Sequence, residues 1–321
     1  QHRISIRAYD LAGNIGEKQV RFIVDYISPS IRLVEPNNNS CINNTNVRLR
    51  LFVSDDSLLD VMVVVDGEIT EVYNKCEIDM VVPLGSEGQH NITVVAYDKA
   101  GNINSPSLHI TVDLTPPRLR FISPKNFTYF NTNVILVEWN ATDNLSGIES
   151  VQFRINNYAW AYINSNESIM LDLNDGSYIL YLLAIDRAGN KRLLRLYITI
   201  DTQPPQISIL SPKNSSLFNK TRIELSYSIT EYHLDRIYIH INQTKYITLH
   251  DPIGKLYIHI DSDGHWVIRI EAIDKANNSM NASIYITVDI TPPQLSITRP
   301  ENNTRISNKS FIVEWIAYDN L

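Results

Sequence analysis

Acidic residues return along this chain of 321 residues at a constant interval. Asp10, Asp98, Asp186 and Asp274 each stand 88 positions after the last. Asp25, Asp113 and Asp201 keep the same interval, as do Asp55, Asp143 and Glu231. Taken by neighbourhood they form three sets: Asp25 with Asp55 and Asp98, Asp113 with Asp143 and Asp186, and Asp201 with Glu231 and Asp274. Asp289 and Asp319 begin a fourth. Carboxylates gathered in one place repel unless a cation or hydrogen-bond donors compensate them, and clusters of hard oxygen ligands suit calcium. Each of these acids has a second role open to it, as a local acceptor at a turn or strand end. The chemistry depends on whether the fold brings each set together.

The interval belongs to a tandem array. Ala96-Tyr97-Asp98-Lys99-Ala100-Gly101-Asn102 returns around Asp186 and Asp274, and an earlier copy surrounds Asp10. A linker follows each full copy: Val112-Asp113-Leu114-Thr115-Pro116-Pro117, then Asp201-Thr202-Gln203-Pro204-Pro205, then Val288-Asp289-Ile290-Thr291-Pro292-Pro293. The turn accounts for its own residues. Gly101 is expected at positive φ, and the one substitution, Asn277, is the residue that best tolerates that region. Asp98 is expected to accept backbone N–H groups just beyond it and to hold the hairpin closed.

Between linkers the pattern has period two. Ile268, Ile270 and Ala272 alternate with Val267, Arg269 and Glu271, so the charged residues mark the wet face. Leu108, Ile110 and Val112 are expected inward on the next strand, and Val151, Phe153 and Ile155 on an earlier one. Trp139 matches Leu51, Tyr227 and Trp315 in the other copies, always large and apolar, and is expected to anchor a core. Prolines at 36, 124, 212 and 300 each remove a ladder donor and mark an edge or a strand end. About seven short strands per repeat, with turn signals between them and no helical stripe, predict an all-β tandem array of immunoglobulin-like antiparallel β-sandwiches. The expected domains are 28–115, 116–203 and 204–291, flanked by a partial repeat at 1–27, read as a hairpin, and another at 292–321. At ~26 Å per eight-residue strand, each repeat is expected to add roughly 35–40 Å to a rod. The chain opens within a strand at Gln1 and stops inside a repeat at Leu321, so it is read as an excerpt of a longer protein.

The combination A-x-D-x-A-G-N, V-D-x-T-P-P, an apolar strand and S-P-x-N resembles the tandem Ig-like repeats of bacterial and archaeal surface or secreted proteins. That resemblance implies spacers, stalks, adhesion modules or enzyme accessories. The first linker departs from it, with Tyr26-Ile27-Ser28-Pro29 in place of x-Thr-Pro-Pro. In an Ig-type sandwich the loop bearing Asp143 and the turn bearing Asp186 lie at the pole where the linker bearing Asp113 enters, so each acidic set is expected to converge. The layout is similar to cadherin junctions, and by that resemblance calcium is the implied cofactor, with Asn102 and Asn190 adding oxygens.

Other chemistry finds little support. The net charge is −7 with scattered Lys and Arg, so no basic footprint points to nucleic acid. No apolar run approaches the ~20 residues of a membrane span. The eight histidines recur at no fixed interval, and HExxH, a Gly-rich phosphate loop and G-x-S-x-G are all absent. The chain is therefore read as not an enzyme. Asp261-Ser262-Asp263-Gly264 resembles a short calcium loop but lacks the remaining ligands, and a polar turn is expected there. Sequons of the form N-x-[ST], among them Asn38, Asn126, Asn140, Asn166 and Asn214, point to a glycosylated surface protein, while Asn is also a preferred turn residue. Cys41 and Cys76, the only cysteines, are read as either bridged or free.

Tyr158-Ala159-Trp160-Ala161-Tyr162 supplies a candidate binding face, since alternating aromatics in a strand project together and a flat row stacks on sugar rings. If Asn156-Asn157 is a two-residue turn, Ile155 pairs with Tyr158 and the aromatics turn to the core instead, which is the expected outcome. The reading favoured by the sequence is an extracellular, non-catalytic stalk, adhesion or spacer segment of a larger cell-surface protein. Its partners would be neighbouring domains of the same chain, and surface proteins or glycans. The alternative is an accessory, sugar-binding Ig-like region of a secreted hydrolase.

Overall fold

The computed structural model describes residues 1–321, and every regular element in it is a β-strand. No helix is long and apolar enough to cross a membrane. The chain forms two compact units, one of Gln1–Ser123, Val137–Ile169 and Ile179–Leu196, the other of Pro124–Leu136, Met170–Tyr178 and Tyr197–Leu321.

The first unit contains a complete sandwich. One sheet orders Ser30–Glu35, Asn46–Ser54 and Glu77–Pro83, all antiparallel. The facing sheet orders Ser40–Ile42, Ser107–Val112, Gly88–Asp98, Leu58–Val65 and Glu68–Tyr73. The break at Pro36 does more than end a strand. It lets the entering chain cross between sheets, so that Ser40–Ile42 pairs in parallel with Ser107–Val112. The second unit holds a sandwich of the same order: Gln206–Ser211, Arg222–Thr230 and Ile253–His259 against Ser216–Phe218, Ser279–Val288, Gly264–Asp274, Leu234–Ile241 and Thr244–Leu249. The strands from Arg118 to Ile200 follow the same two-sheet plan. The chain is thus a tandem array of Ig-like sandwiches.

The alternation expected from sequence places the cores. Asn46–Ser54 and Val134–Thr142 bury the same alternate positions, as does Arg222–Thr230. Leu49, Leu51, Ile78, Ile92, Val94 and Ala96 are fully buried in the first core, and Ile223, Leu225, Ile258, Ile268, Ile270 and Ala272 in the last. A fully buried Leu or Ile contributes about 1.5–3 kcal/mol to its sandwich. Cys41 and Cys76 are free thiols, the first half-buried and the second exposed, so the bridged alternative is not realised.

Tyr227 fills the anchor position in the last sandwich. It is 1% exposed, and its hydroxyl donates to the Asp251 carbonyl at 3.2 Å. Its register partner is Gly254, where a Cβ would overlap the phenol ring. Gly254→Ala is therefore expected to destabilise the chain by about 1–3 kcal/mol through overpacking. A fall in the urea midpoint at unchanged slope checks it, and an unchanged midpoint contradicts it.

The aromatic run corrects an expectation. The turn closes as read, with the Tyr158 N–H donating to the Ile155 carbonyl at 3.0 Å. The ladder then resumes as Phe153 with Ala161, Gln152 with Tyr162 and Val151 with Ile163. One extra residue has entered the second strand, and a shift of one moves every later side chain to the opposite face. Tyr162 consequently lies in solvent, 77% exposed, rather than in the core, and Tyr158, at the turn itself, is also 72% exposed. The strand begins only at Ala161, so no flat row of three forms. Trp160 is half-buried, with the Arg154 guanidinium 4.6 Å from its ring centroid and 4.3 Å from that of Tyr181. The other two sandwiches carry the same irregularity, between Val63 and Val64 and between Ile239 and His240.

Candidate functional site

At the linkers bearing Asp25, Asp113 and Asp201 the chain gathers acids, and the gathering is built from three separately positioned pieces. The first is the turn that ends the long strand. Gly101 and Gly189 sit at φ 91° and 94°, and Asn277 holds the same place at φ 68°. This lets Asp98 Oδ1 accept the N–H groups of Ala100 and Asn102, each at 2.8 Å, while its Oδ2 accepts the Asn102 side-chain amide at 2.7 Å. Asp186 with Asn190 and Asp274 with Asn278 repeat the arrangement. The amide then reaches the linker. Asn190 Nδ2 donates to the Asp113 carbonyl at 2.8 Å, and Asn278 Nδ2 to the Asp201 carbonyl at 2.7 Å. Asn102 Nδ2 meets the Asp25 and Ile27 carbonyls at 3.3 and 3.4 Å. The Asp–Asn pair of the turn is thus a clamp on the backbone of the preceding linker.

The second piece is the loop acid. Asp143 Oδ1 draws in the N–H groups of Leu145, Ser146 and Gly147 at 3.1, 3.0 and 2.8 Å, which folds the loop around it. The third is the linker acid itself. Asp113 is fully buried, with Oδ1 accepting the Thr115 N–H and Oδ2 accepting both the N–H and the hydroxyl of Ser146. Burial pushes the Asp113 carboxyl up, but the Ser146 hydroxyl and the Thr115 and Ser146 amides outweigh it and hold the group below its ordinary value. Asp98 shows the same balance, burial against the side chain and backbone of Asn102, and is also held low.

Oxygens of Asp25, Asp55 and Asp98 lie within 4.8 Å of one another, as do those of Asp113, Asp143 and Asp186. The third cluster differs from the set read in the sequence. Asp201 and Glu231 meet His233 within that distance, in the place expected for Asp274. His233 Nδ1 lies 2.8 Å from Asp201 Oδ2, and its backbone N–H donates to Glu231 Oε1 at 2.8 Å. Its ring packs edge-on against Tyr129 at 5.2 Å. His233 sits two positions after the loop acid, where the first copy has Ser57, whose hydroxyl donates to Asp25 at 3.0 Å. The signal was therefore the position of a donor to the linker acid rather than recurrence of a histidine.

Calcium demands about six to eight oxygen ligands. The all-carboxylate composition of the first two clusters suits a hard cation, with Asp25, Asp55 and Asp98, or Asp113, Asp143 and Asp186, as the ligands. An imidazole nitrogen on the linker acid makes the third set a poor fit for the same ion. What all three arrangements share is compensation of the carboxylates by N–H and O–H donors.

A second device was not anticipated from sequence. The acid before each recurring glycine reaches the following linker. Glu87 accepts the N–H groups of Leu114 and Thr115 and the Thr115 hydroxyl, and Asp175 accepts the N–H and hydroxyl of Thr202. Asp263, in the stretch resembling a short calcium loop, accepts the Ile290 N–H, the Thr291 hydroxyl and the Asn320 amide. Those three donors, the Ile290 N–H foremost, hold the Asp263 carboxyl low.

No family model matches the chain. In sequence it is similar to Bacillopeptidase F of Bacillus subtilis (strain 168), at 22% identity over 222 residues that make up 67% of this chain and 15% of that protein's length. Solved structures similar to it include the three N-terminal domains of the highly immunogenic outer capsid protein of bacteriophage RB49. There the TM-score is 0.41 at 11% identity, covering 83% of this chain and 99% of that one. A tetra-tandem repeat from the extending region of a large adhesion protein gives a TM-score of 0.39 at 16% identity, covering 90% and 81%.

Proposed function

We propose that this chain is a non-catalytic, extracellular spacer or adhesion segment of a cell-surface protein, built from the units 28–115, 116–203 and 204–291. One observation carries the reading. The constellation that the copies keep in register is spent on holding each linker, as in Asp113 with Ser146 and Asn190, rather than on lining a pocket. A protein that conserves its polar groups for its joints is made to set geometry between its parts. The sequons fit a surface location, and the partners are neighbouring domains, surface proteins and glycans.

The match to part of Bacillopeptidase F supports a second reading, an accessory region of a hydrolase with a sugar-binding role for Tyr158, Trp160 and Tyr162. A glycan array separates the two. The spacer reading expects no glycan binding that depends on the aromatic run; binding that disappears in Trp160→Ala overturns it in favour of the second.

The distances in the first two clusters also support calcium as a joint-stiffening ligand. The check is the melting temperature of residues 28–203 with calcium and then with chelator. A rise with calcium that Asp143→Ala abolishes supports the ion, and an unchanged melting temperature leaves the hydrogen-bonded clasp alone as the joint.

A further inference from the structure

Four sequons occupy one position in the repeat, Asn38, Asn126, Asn214 and Asn302, the first three of them in the complete sandwiches. Asn38, Asn126 and Asn214 are 88 residues apart, and each is exposed. They are built alike. The Oδ1 atoms of Asn38, Asn126 and Asn214 accept the backbone N–H groups of His109, Tyr197 and Tyr285, each at 2.8 Å. The next residue lies in the left-handed region, at φ 64° for Asn39, 62° for Phe127 and 64° for Ser215. Its N–H donates to the carbonyl of that same strand residue, at 2.8, 2.7 and 2.7 Å. The sequon hydroxyl closes the turn, with Ser40, Thr128 and Ser216 donating to the carbonyl of the residue before the asparagine. All of these bonds use Oδ1, backbone or hydroxyl; none uses Nδ2. A secondary amide keeps the same carbonyl oxygen, so a substituent on Nδ2 leaves the turn intact. Asn140 is the opposite case: half-buried, with its Nδ2 donating to Asn166 Oδ1 at 2.6 Å.

We infer that Asn38, Asn126 and Asn214 are N-glycan attachment sites, one per sandwich at the same place, and that Asn140 is not. The inference rests on the extracellular reading above, because the donor is a lipid-linked glycosyl phosphate handled at a secretory membrane. The Asn126 amide nitrogen forms a bond to the anomeric carbon. The bond from that carbon to the phosphate oxygen breaks, the lipid phosphate leaves with the electron pair, and the amide gives up one proton. Each copy thereby presents a sugar beside the strand that leads into its linker.

The test is to direct the full chain into the secretory pathway of an N-glycosylating yeast, release the glycans enzymatically in heavy-oxygen water and map the marked asparagines by mass spectrometry. Marks are expected at Asn38, Asn126 and Asn214, with Asn140 unmarked. Asn126→Asp, which retains the acceptor for Tyr197, is expected to lose the mark at that site alone and to keep its melting temperature. Thr128→Ser is expected to keep both. Bare sites at Asn38, Asn126 and Asn214, or a glycan at Asn140, overturn the inference. Protein held inside the cell is mapped from the endoplasmic reticulum fraction, where transfer takes place. The host supplies the secretory route, so the extracellular reading fails separately: sugar on yeast-made chain with bare sites on chain from its native source.

Discussion

Trp139→Ala is expected to cost about 3–5 kcal/mol, a large share of the roughly 5–15 kcal/mol that keeps a domain folded. The indole is 2% exposed and stacks on Phe153, with ring centroids 6.2 Å apart. Its Nε1–H donates to the Asn164 carbonyl at 2.9 Å, so the anchor is polar at one end and apolar along its body. Truncation removes the apolar contact, leaves a cavity and strips the Asn164 carbonyl of its donor. Trp139→Phe restores most of the volume but not the N–H, and is expected to recover more than half of the loss. Urea denaturation of residues 116–203 measures both, and a cost below about 1.5 kcal/mol for the alanine variant would contradict the anchoring role.

Asp113→Ala is expected to cost about 2–4 kcal/mol, because hydrogen bonds to a charged group are worth more than neutral ones and the buried Ser146 hydroxyl loses its charged acceptor. The Ser146 hydroxyl would lose its close carboxylate acceptor, while the Ser146 N–H would keep only Asp143 and the Thr115 N–H only Glu87. Asp113→Asn separates charge from shape. The folded-state carboxyl lies below its unfolded value, so its contribution is fully present above the unfolded pKa and is lost as pH falls through the folded one. Wild type should therefore exceed Asp113→Asn in stability at neutral pH, with the margin shrinking below about pH 4. Denaturant midpoints of residues 28–203 at pH 7 and pH 3 test this; a margin that does not narrow in acid sinks it.

Period-two alternation and the fixed interval made the sandwich legible, since both are local and survive without knowledge of tertiary contacts. The same interval grouped Asp113 with Asp143 and Asp186, and Asp25 with Asp55 and Asp98, because the loops that carry them share a pole. Reading failed where one residue or one atom decides the outcome. The single-residue bulge before Ala161 turned Tyr162 toward water, and nothing in the aromatic spacing announces a bulge. His233 joined Asp201 and Glu231 because it stands where the first copy has Ser57, and the requirement there is a donor to the linker acid, which Ser and His both meet. Glu87, Asp175 and Asp263 escaped notice because the acid varies in type and the threonine it holds moves by one position, from Thr115 to Thr202 to Thr291.

The crossing of the entering chain between sheets bears on how the array responds to being pulled. Thr128–Phe130 runs parallel to Lys191–Ile200, with Thr128 opposite Ile198 and Phe130 opposite Ile200, and the Asp201 N–H extends the pairing to the Phe130 carbonyl at 2.8 Å. The same patch joins Ser40–Ile42 to Ser107–Val112 and Ser216–Phe218 to Ser279–Val288. Tension applied through the two ends of a domain draws parallel neighbours past one another along their length. All the hydrogen bonds of the patch are then loaded together in shear, rather than opened singly as in peeling an antiparallel hairpin. A few residues in each copy thereby act as a mechanical latch, placed where the load enters and leaves.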